Sequence, residues 1–244
     1  MSADVPRLRM FAGPNGSGKT TVKEDLKRPD SWFGIYINPD DLEKTIRQTG
    51  HLSLSPFGIE TTTTEIKTHF SSSVFLKSKG LNLPTEGITY QGHLLEFSGL
   101  KFDSYCASVL ADFLRQKALE SLKSFTFETV MSSRDKIDLL KTAKTRGYRT
   151  YLYYIATEDP AINVERVRNR VAEGGHNVPE EKIRSRYKRS LELLADAIRC
   201  SDRAFFFDTS ENSAWYFCEA SSGAKLELKS DEMPNWFQPI WDQF

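Results

Sequence analysis

The feature that most constrains the fold is a glycine-rich octet, GPNGSGKT, at residues 13–20. It directly follows an apolar run at residues 8–12 and directly precedes a polar, helix-compatible stretch at residues 22–27. A strand, a glycine-rich turn and a helix N-terminus together form an anion cradle, because unpaired backbone N–H groups and the positive end of the helix dipole point at one place. The octet therefore predicts a Walker A loop that binds a triphosphate.

Each part of this loop has an expected role. We expect Lys19 to reach the β- and γ-phosphates of ATP and Thr20 to place its hydroxyl on Mg²⁺. The three glycines permit backbone angles that a β-carbon forbids. The predicted nucleotide-binding residues are Gly13, Pro14, Asn15, Gly16, Ser17, Gly18, Lys19, Thr20 and Thr21.

Composition narrows the classes of partner. The 244 residues carry 33 basic and 33 acidic side chains, so no global field favours nucleic acid or an anionic membrane. No apolar run is long enough to span a bilayer and the first residues lack the pattern of a signal peptide, so we expect a cytoplasmic protein. The cysteines Cys106, Cys200 and Cys218 are widely spaced and are interpreted as reduced thiols. The histidines at positions 51, 69 and 93 share no metal-ligand spacing, so no zinc site is predicted.

Beyond the loop, apolar strands alternate with amphipathic helices. Strands are expected at 33–37, 124–127, 151–156 and 204–207, and helices at 42–47, 102–123, 133–146, after Asp159-Pro160 and at 179–198. Continuous apolar strands between helices predict a parallel sheet covered on both faces. The predicted fold class is α/β, a three-layer P-loop NTPase sandwich of the nucleotide-kinase type with a mostly parallel sheet.

We interpret residues 1–244 as a single P-loop kinase domain. In residues 50–100, glycines and clusters of serine and threonine break any long period, which indicates an insertion that forms a substrate-side subregion. Residues 213–244 are predicted to form a C-terminal hairpin and tail. The aromatic residues near position 236 are expected to seal one end of the fold.

Polar side chains follow two of the predicted strands, and ligands of an open parallel sheet bind at the carboxyl ends of its strands. Asp40 and Asp41 follow the strand 33–37, and Asp40 suits the base that accepts a proton from an acceptor hydroxyl. Helix capping is the alternative for both aspartates. Glu128 follows the strand 124–127, where it could order a magnesium-bound water or grip the acceptor, with Thr129 beside it. The alternative for this pair is a solvated strand end.

A cluster of cations in the last third of the chain predicts a lid. Arg166 and Arg170 lie four apart on one helical face, and the glycines at 174–175 supply a flexible joint. Planar cations that close over phosphates neutralise the charge of a transition state. His176 and Arg186 are candidate substrate contacts. The alternative is a charged helix that only faces water.

Four segments together carry a resemblance to a known family. They are AGPNGSGKT at 12–20, INPDD at 37–41, FETVMS at 127–132, and RVRNRVAEGGHNVPEEKIRSRYKRSL at 166–191. In combination they resemble the zeta-toxin/PezT family of P-loop kinases, in a branch with the pattern GGHxVP. Characterised members of that family phosphorylate a sugar hydroxyl of UDP-N-acetylglucosamine with ATP and magnesium.

This resemblance implies that the chain is a kinase whose acceptor is a small molecule such as a nucleotide sugar. It implies Lys19 and Thr20 at the nucleotide, Asp40 as base, Glu128 at the acceptor, and Arg166 and Arg170 in the lid. It also implies a toxin–antitoxin pair with an antitoxin protein as partner. Two alternatives remain open, namely a kinase for a nucleoside, a dinucleotide or an RNA end, and a nucleotide-binding switch without an acceptor.

Overall fold

The structure is a computed structural model that describes residues 5–81, 83, 85–175, 177–211 and 213–244. Its strands are β1 (Arg7–Ala12), β2 (Ile35–Ile37), β3 (His51–Ser53), β4 (Ile88–Gln91), β5 (Leu94–Phe97), β6 (Phe125–Thr129), β7 (Arg149–Ala156), β8 (Arg203–Asp208), β9 (Trp215–Ser221) and β10 (Lys225–Leu228). Its α-helices are α1 (Lys19–Asp25), α2 (Asp30–Phe33), α3 (Pro39–Thr49), α4 (Thr63–Ser72), α5 (Val74–Ser78), α6 (Ser104–Glu120), α7 (Asp135–Thr145), α8 (Pro160–Ala172), α9 (Glu180–Glu192), α10 (Leu194–Arg199) and α11 (Gln238–Trp241). Turns of 3₁₀ helix occupy Ser55–Phe57 and Asn235–Phe237.

The chain divides into two compact units. The first unit combines Met1–Phe33 with Thr126–Phe244, and the second unit is the continuous stretch Gly34–Phe125. The interpretation of residues 1–244 as one kinase domain stays a prediction.

The first unit is built on a mostly parallel sheet. Its strands neighbour one another in the order β10-β9-β8-β7-β1-β6. Strand β7 pairs in parallel with β1 on one side and with β8 on the other, whereas β9 and β10 run antiparallel to their neighbours. The sheet therefore has the parallel centre that the apolar strands predict, and β9 with β10 forms the C-terminal hairpin.

The two faces of this sheet bury different clusters, because successive side chains of a strand point to opposite faces. On one face, Phe11 of β1 stacks on Tyr153 of β7 at 4.5 Å between ring centroids, and Val22 of α1 joins the same cluster. On the other face, Phe206 of β8 packs against Phe237 at 4.7 Å. The aromatic residues after the hairpin thus cover the second face of the sheet.

The second unit carries a small antiparallel sheet. Its strands lie in the order β3-β5-β4, with β5 antiparallel to both neighbours. Helix α4 begins with a capping box, in which the Thr62 side chain accepts from the Glu65 N–H and the Glu65 side chain accepts from the Thr62 N–H. Most of α6 is buried, including Cys106 and Leu114. The described part of residues 50–100 therefore contains the helices α4 and α5 and the three strands of the small sheet, although the sequence there shows no long period.

Three predicted boundaries are wrong. Phe33 ends helix α2, and Gly34 follows it with φ 64°, a left-handed angle typical of a residue that ends a helix. Strand β6 continues through Glu128 and Thr129, so these residues lie in the strand and not after it. The single helix predicted at 179–198 is two helices that meet at Leu193, which ends α9 and begins α10 and whose ψ of −7° is flatter than that of a regular helix.

Candidate functional site

The glycine-rich loop between β1 and α1 packs directly on its neighbours. Gly13 and Gly16 have φ angles of +147° and +75°. A β-carbon on Gly13 would lie 1.9 Å from the carbonyl oxygen of Ile155, and one on Gly16 would lie 2.6 Å from the carbonyl oxygen of Asn163. Both distances are shorter than atoms can approach. The loop therefore fits against β7 and α8 only with glycine at these positions.

Two hydrogen bonds to its backbone hold the loop in place. The N–H of Gly13 donates to the carbonyl oxygen of Thr129 at 3.2 Å, and the hydroxyl of Thr209 donates to the carbonyl oxygen of Ser17 at 2.9 Å. The hydroxyl oxygen of Ser17 is buried and has no hydrogen-bond partner among the described residues. A buried hydroxyl without a partner, in a cradle that β-carbons would fill, fits a loop that is completed by a bound anion.

The side chain of Lys19 lies over the loop. Its Nζ donates to the carbonyl oxygens of Gly13 and Pro14, each at 2.9 Å. These bonds hold the ammonium group at the loop, where phosphate oxygens would compete with the two carbonyls for its N–H donors. Thr21, which follows in α1, is exposed.

A hydroxyl and a carboxylate meet beside the loop. The Oγ1 of Thr20 donates to Oε2 of Glu128 at 3.0 Å, although the two residues are far apart in sequence. Glu128 is only 7% exposed. Among the described residues, no group of three or more His, Cys, Asp or Glu side chains could hold a metal ion. Mg²⁺ is commonly held by one or two protein oxygens together with water and phosphate oxygens, and Thr20 with Glu128 fits such a partial set.

The hydroxyl of Thr129 serves the turn that follows β6. It accepts a hydrogen bond from the N–H of Met131 at 3.1 Å, and Met131 has a left-handed φ of 52°. The backbone of Thr129 meanwhile bonds to Gly13, as described above. The structure therefore places Thr129 beside the loop with its hydroxyl engaged locally.

Two of the predicted cations reach the region of the loop. Nη1 of Arg186 donates to Oδ1 of Asn15 at 3.3 Å. The guanidinium of Arg166 donates to the carbonyl oxygen of Thr209 at 2.5 Å and to that of Glu211 at 3.2 Å. The structure therefore brings Arg186 to the loop itself and ties Arg166 to the backbone that follows β8.

The remaining lid residues are Arg170 and His176. Arg170 is exposed near the end of α8, and its carbonyl oxygen accepts from the N–H of Gly175 at 2.8 Å. The predicted substrate contact His176 lies outside the described residues.

In the second unit, Asp40 lies in the first turn of α3. Asn38 caps this helix, because its side chain accepts from the N–H of Asp40 at 3.0 Å. Asp40 and Asp41 are both exposed. The capping role that the sequence left open for the aspartates therefore belongs to Asn38, and the Asp40 carboxylate faces solvent.

Sequence reasoning missed one polar residue that contacts the loop. Asn163 lies in α8 with no exposed surface, and its Nδ2 donates to the carbonyl oxygen of Asn15 at 2.8 Å. The sequence does carry a sign of this contact, because Asn163 lies beside Val164 and near Val167 in the buried stripe of α8. A polar residue in a buried stripe needs a hydrogen-bond partner, and here that partner is the loop.

The glycine-rich loop lies at the carboxyl end of β1 in a mostly parallel sheet, and the helix that follows it begins with a lysine and a threonine. These features define a P-loop protein with the fold of nucleotide kinases. The model of the family described as Zeta toxin matches residues 104–213. This match confirms the resemblance to the zeta-toxin family over that stretch, which holds the segments at 127–132 and 166–191.

Solved structures support the fold. The structure described as AvrRxo1-ORF1:-ORF2 with ATP is 17% identical, covers 92% of this chain and 60% of that chain, and has a TM-score of 0.53. The structure of AvrRxo1-ORF1:AvrRxo1-ORF2 with sulphate ions is 14% identical, covers 98% and 63% of the two chains, and has a TM-score of 0.51. At these identities, the likeness shows a shared fold.

A curated relative matches a shorter stretch. An uncharacterized protein of Haemophilus influenzae is 34% identical over 70 residues, which is 29% of this chain and 50% of that protein. The chain thus spans about half the length of this relative and 60% of the AvrRxo1 chain. Among the described residues, no helix combines the length and the apolar character that crossing a bilayer requires.

Proposed function

We propose that the chain is an ATP-dependent kinase that requires Mg²⁺ and transfers the γ-phosphate to a hydroxyl of a nucleotide sugar such as UDP-N-acetylglucosamine. The observation that carries this proposal is the phosphate loop with Lys19 folded over it and Thr20 bonded to Glu128. The family match and the AvrRxo1 structure with ATP support the choice of nucleotide.

The proposed roles follow from the chemistry of the side chains. Mg-ATP, when bound, supplies the transferable phosphoryl group and a cation that offsets its charge. Lys19 exchanges its two carbonyl partners for phosphate oxygens, while Thr20 and Glu128 hold the metal. Asp40 accepts the proton of the acceptor hydroxyl as the new oxygen–phosphorus bond forms and ADP leaves. Arg170 adds positive charge where negative charge develops.

The remaining assignments concern the acceptor and a partner. We propose that Glu128, Thr129, His176 and Arg186 contact the acceptor, and that Arg166 holds the loop after β8 in place for catalysis. The family's description as a toxin and the two-protein AvrRxo1-ORF1:-ORF2 structure support an antitoxin as a protein partner of this chain.

The test is to incubate the purified protein with Mg-ATP and a panel of acceptors, and to identify phosphorylated products by mass spectrometry. The panel holds UDP-N-acetylglucosamine, other nucleotide sugars, nucleosides, NAD and a short RNA. We expect one nucleotide sugar to gain a phosphate. Asp40→Asn should lower that rate by about 10²–10⁴-fold, because a positioned base contributes that much. Lys19→Ala should lower it by about 100-fold or more, because it removes a charge aimed at the phosphates.

Two matched variants control for loss of charge alone. Asp41→Asn removes the neighbouring exposed carboxylate of the same helical turn, and Lys23→Ala removes the lysine one turn further along α1. Both should keep nearly full activity. A product on a nucleoside or RNA would overturn the acceptor assignment. Slow loss of ATP in every mixture, without any phosphorylated acceptor, would overturn the proposal of a kinase and favour a nucleotide-binding switch protein.

A further inference from the structure

A chain of hydrogen bonds runs from helix α9 to the phosphate loop. The hydroxyl of Tyr187 donates to the carbonyl oxygen of Thr157 at 2.6 Å, and the hydroxyl of Thr157 donates to Oδ1 of Asn163. Nδ2 of Asn163 in turn donates to the carbonyl oxygen of Asn15. Thr157 and Asn163 have no exposed surface, and Tyr187 is 8% exposed. The path therefore lies in the interior and ends on the backbone of the loop.

The direction of each bond in this chain is fixed by chemistry. A backbone carbonyl can only accept, so the nitrogen of the Asn163 amide faces Asn15 and its oxygen faces Thr157. The hydroxyl of Thr157 must then donate to that oxygen. Burial raises the pKa of Tyr187 above its ordinary value, so this hydroxyl keeps the proton that it donates. The amide of Asn163 is thus held in one orientation.

The last bond orients one peptide of the loop. No peptide bond among the described residues is cis, and the C=O and N–H of a trans peptide point in opposite directions. Because the Asn15 carbonyl points at Asn163, the N–H of Gly16 points away from α8. Gly16 also packs on the backbone of Asn163, so this peptide has no room to move towards α8.

We infer that Asn163 is a positioning residue, which holds the peptide between Asn15 and Gly16 so that the Gly16 N–H is presented to the phosphates of a bound nucleotide. Thr157 acts one step further out, because it fixes the rotamer of Asn163. This inference rests on the proposed function, since it requires that the loop binds a nucleotide.

The surroundings of Asn163 explain why another residue would hold the peptide less well. The site is closed to water, so a replacement for Asn163 must be small enough for the interior and must donate to a carbonyl while accepting from a hydroxyl. Alanine does neither, and it leaves the Asn15 carbonyl without its partner. The peptide then loses the hydrogen bond that sets its orientation, so the Gly16 N–H is held less firmly in one direction.

The experiment measures the affinity of Asn163→Ala for Mg-ATP and for magnesium tripolyphosphate by titration calorimetry, well below the melting temperature. We expect about 10-fold weaker binding of both, because losing an orienting hydrogen bond to a buried group is worth roughly a factor of ten. The matched control is Asn169→Ala, an exposed asparagine of the same helix, which should bind like the wild type.

A second pair of variants tests the same inference if Asn163→Ala does not fold. Thr157→Val keeps the shape of threonine but loses the hydroxyl, and should weaken Mg-ATP binding, whereas Thr157→Ser keeps the hydroxyl and should restore it. Wild-type binding by folded Asn163→Ala or Thr157→Val would overturn the inference and leave the kinase intact. Failure of the wild-type protein to bind Mg-ATP would overturn both the inference and the proposed function.

Discussion

The phosphate loop and the β4–β5 hairpin both turn the chain at glycines, but they need glycine for different reasons. In the loop, the α-carbons of Gly13 and Gly16 lie against the backbone of β7 and α8, so there is no space for a side chain. In the hairpin, Gly92 has a left-handed φ of 57°, yet nothing lies within 4 Å of where its β-carbon would be. The loop is thus limited by packing, whereas the hairpin is limited only by its backbone angle.

The same contrast extends to hydrogen bonds. The hydroxyl of Thr209 donates to the Ser17 carbonyl in a buried site, and Asn163 binds the loop from the interior. In the second unit, the hydroxyl of Thr89 reaches Glu96 at 3.5 Å on the exposed side of the small sheet. A buried bond has no water to replace it, so substitutions near the loop should cost far more than matched substitutions in the hairpin.

The largest difference should come from the glycines themselves. Gly13→Ala should lower the free energy of unfolding by about 3 kcal/mol or more, because its β-carbon would overlap a backbone oxygen. It should also abolish binding of Mg-ATP. Gly92→Ala should cost about 1 kcal/mol, which is the price of the left-handed angle alone. Denaturant unfolding of both variants measures the difference, and equal losses would show that the loop has room to relax.

A smaller effect is expected for a matched pair of threonines. Thr209→Val should lower the free energy of unfolding by about 1–3 kcal/mol, because the Ser17 carbonyl loses a buried partner. Thr89→Val should change it by less than about 0.5 kcal/mol, since its hydroxyl is exposed and valine suits a strand. Thermal and denaturant unfolding measure both values. Similar costs at the two sites would contradict the contrast between buried and exposed bonds.

The smallest effect is expected at the ion pair of the second unit, where Lys117 lies 2.8 Å from Glu65. The hydrogen bond from Lys117 holds the pKa of Glu65 below its ordinary value. The carboxylate therefore stabilises the fold above that ordinary value, and the contribution is lost as pH falls through the lower pKa of the folded state. Glu65→Gln, which can keep the helix cap, should cost about 0.5 kcal/mol or less at neutral pH.

The prediction for Glu65→Gln is controlled by repeating the unfolding measurements at different pH values. The difference between wild type and Glu65→Gln should shrink as the pH of the unfolding measurement falls through the lowered pKa of folded Glu65, and high salt should shrink it at neutral pH. A difference that persists in acid would mean that the carboxylate acts through something other than its charge.

The sequence predicted the loop and the parallel centre of the sheet because both depend on local patterns. An apolar strand, a glycine-rich turn and a helix start lie within residues 7–25, so the loop and its neighbours are visible together. The end of strand β6 was harder to predict from the sequence. Glu128 and Thr129 look like strand-end residues by polarity, but Thr129 continues the strand because its carbonyl binds Gly13, a contact between distant segments.

The details of the site could not be read from the sequence for the same reason. The bond between Thr20 and Glu128 and the bond between Asn163 and Asn15 each join segments more than a hundred residues apart. No local pattern shows such a pairing. The split of the helix at 179–198 was also hidden, because its apolar stripe continues across Leu193 without interruption.

The two units also differ in when their residues become available during synthesis of the chain. The second unit is continuous, so all of its residues have been synthesised once Phe125 is added. Strand β1 is synthesised before the second unit, but its partner β7 begins only at Arg149, and the indole of Trp236 that donates to Asp208 appears later still. A growing chain therefore carries the phosphate-loop sequence while the whole second unit is synthesised, and the loop can take its shape only after β7 has been added.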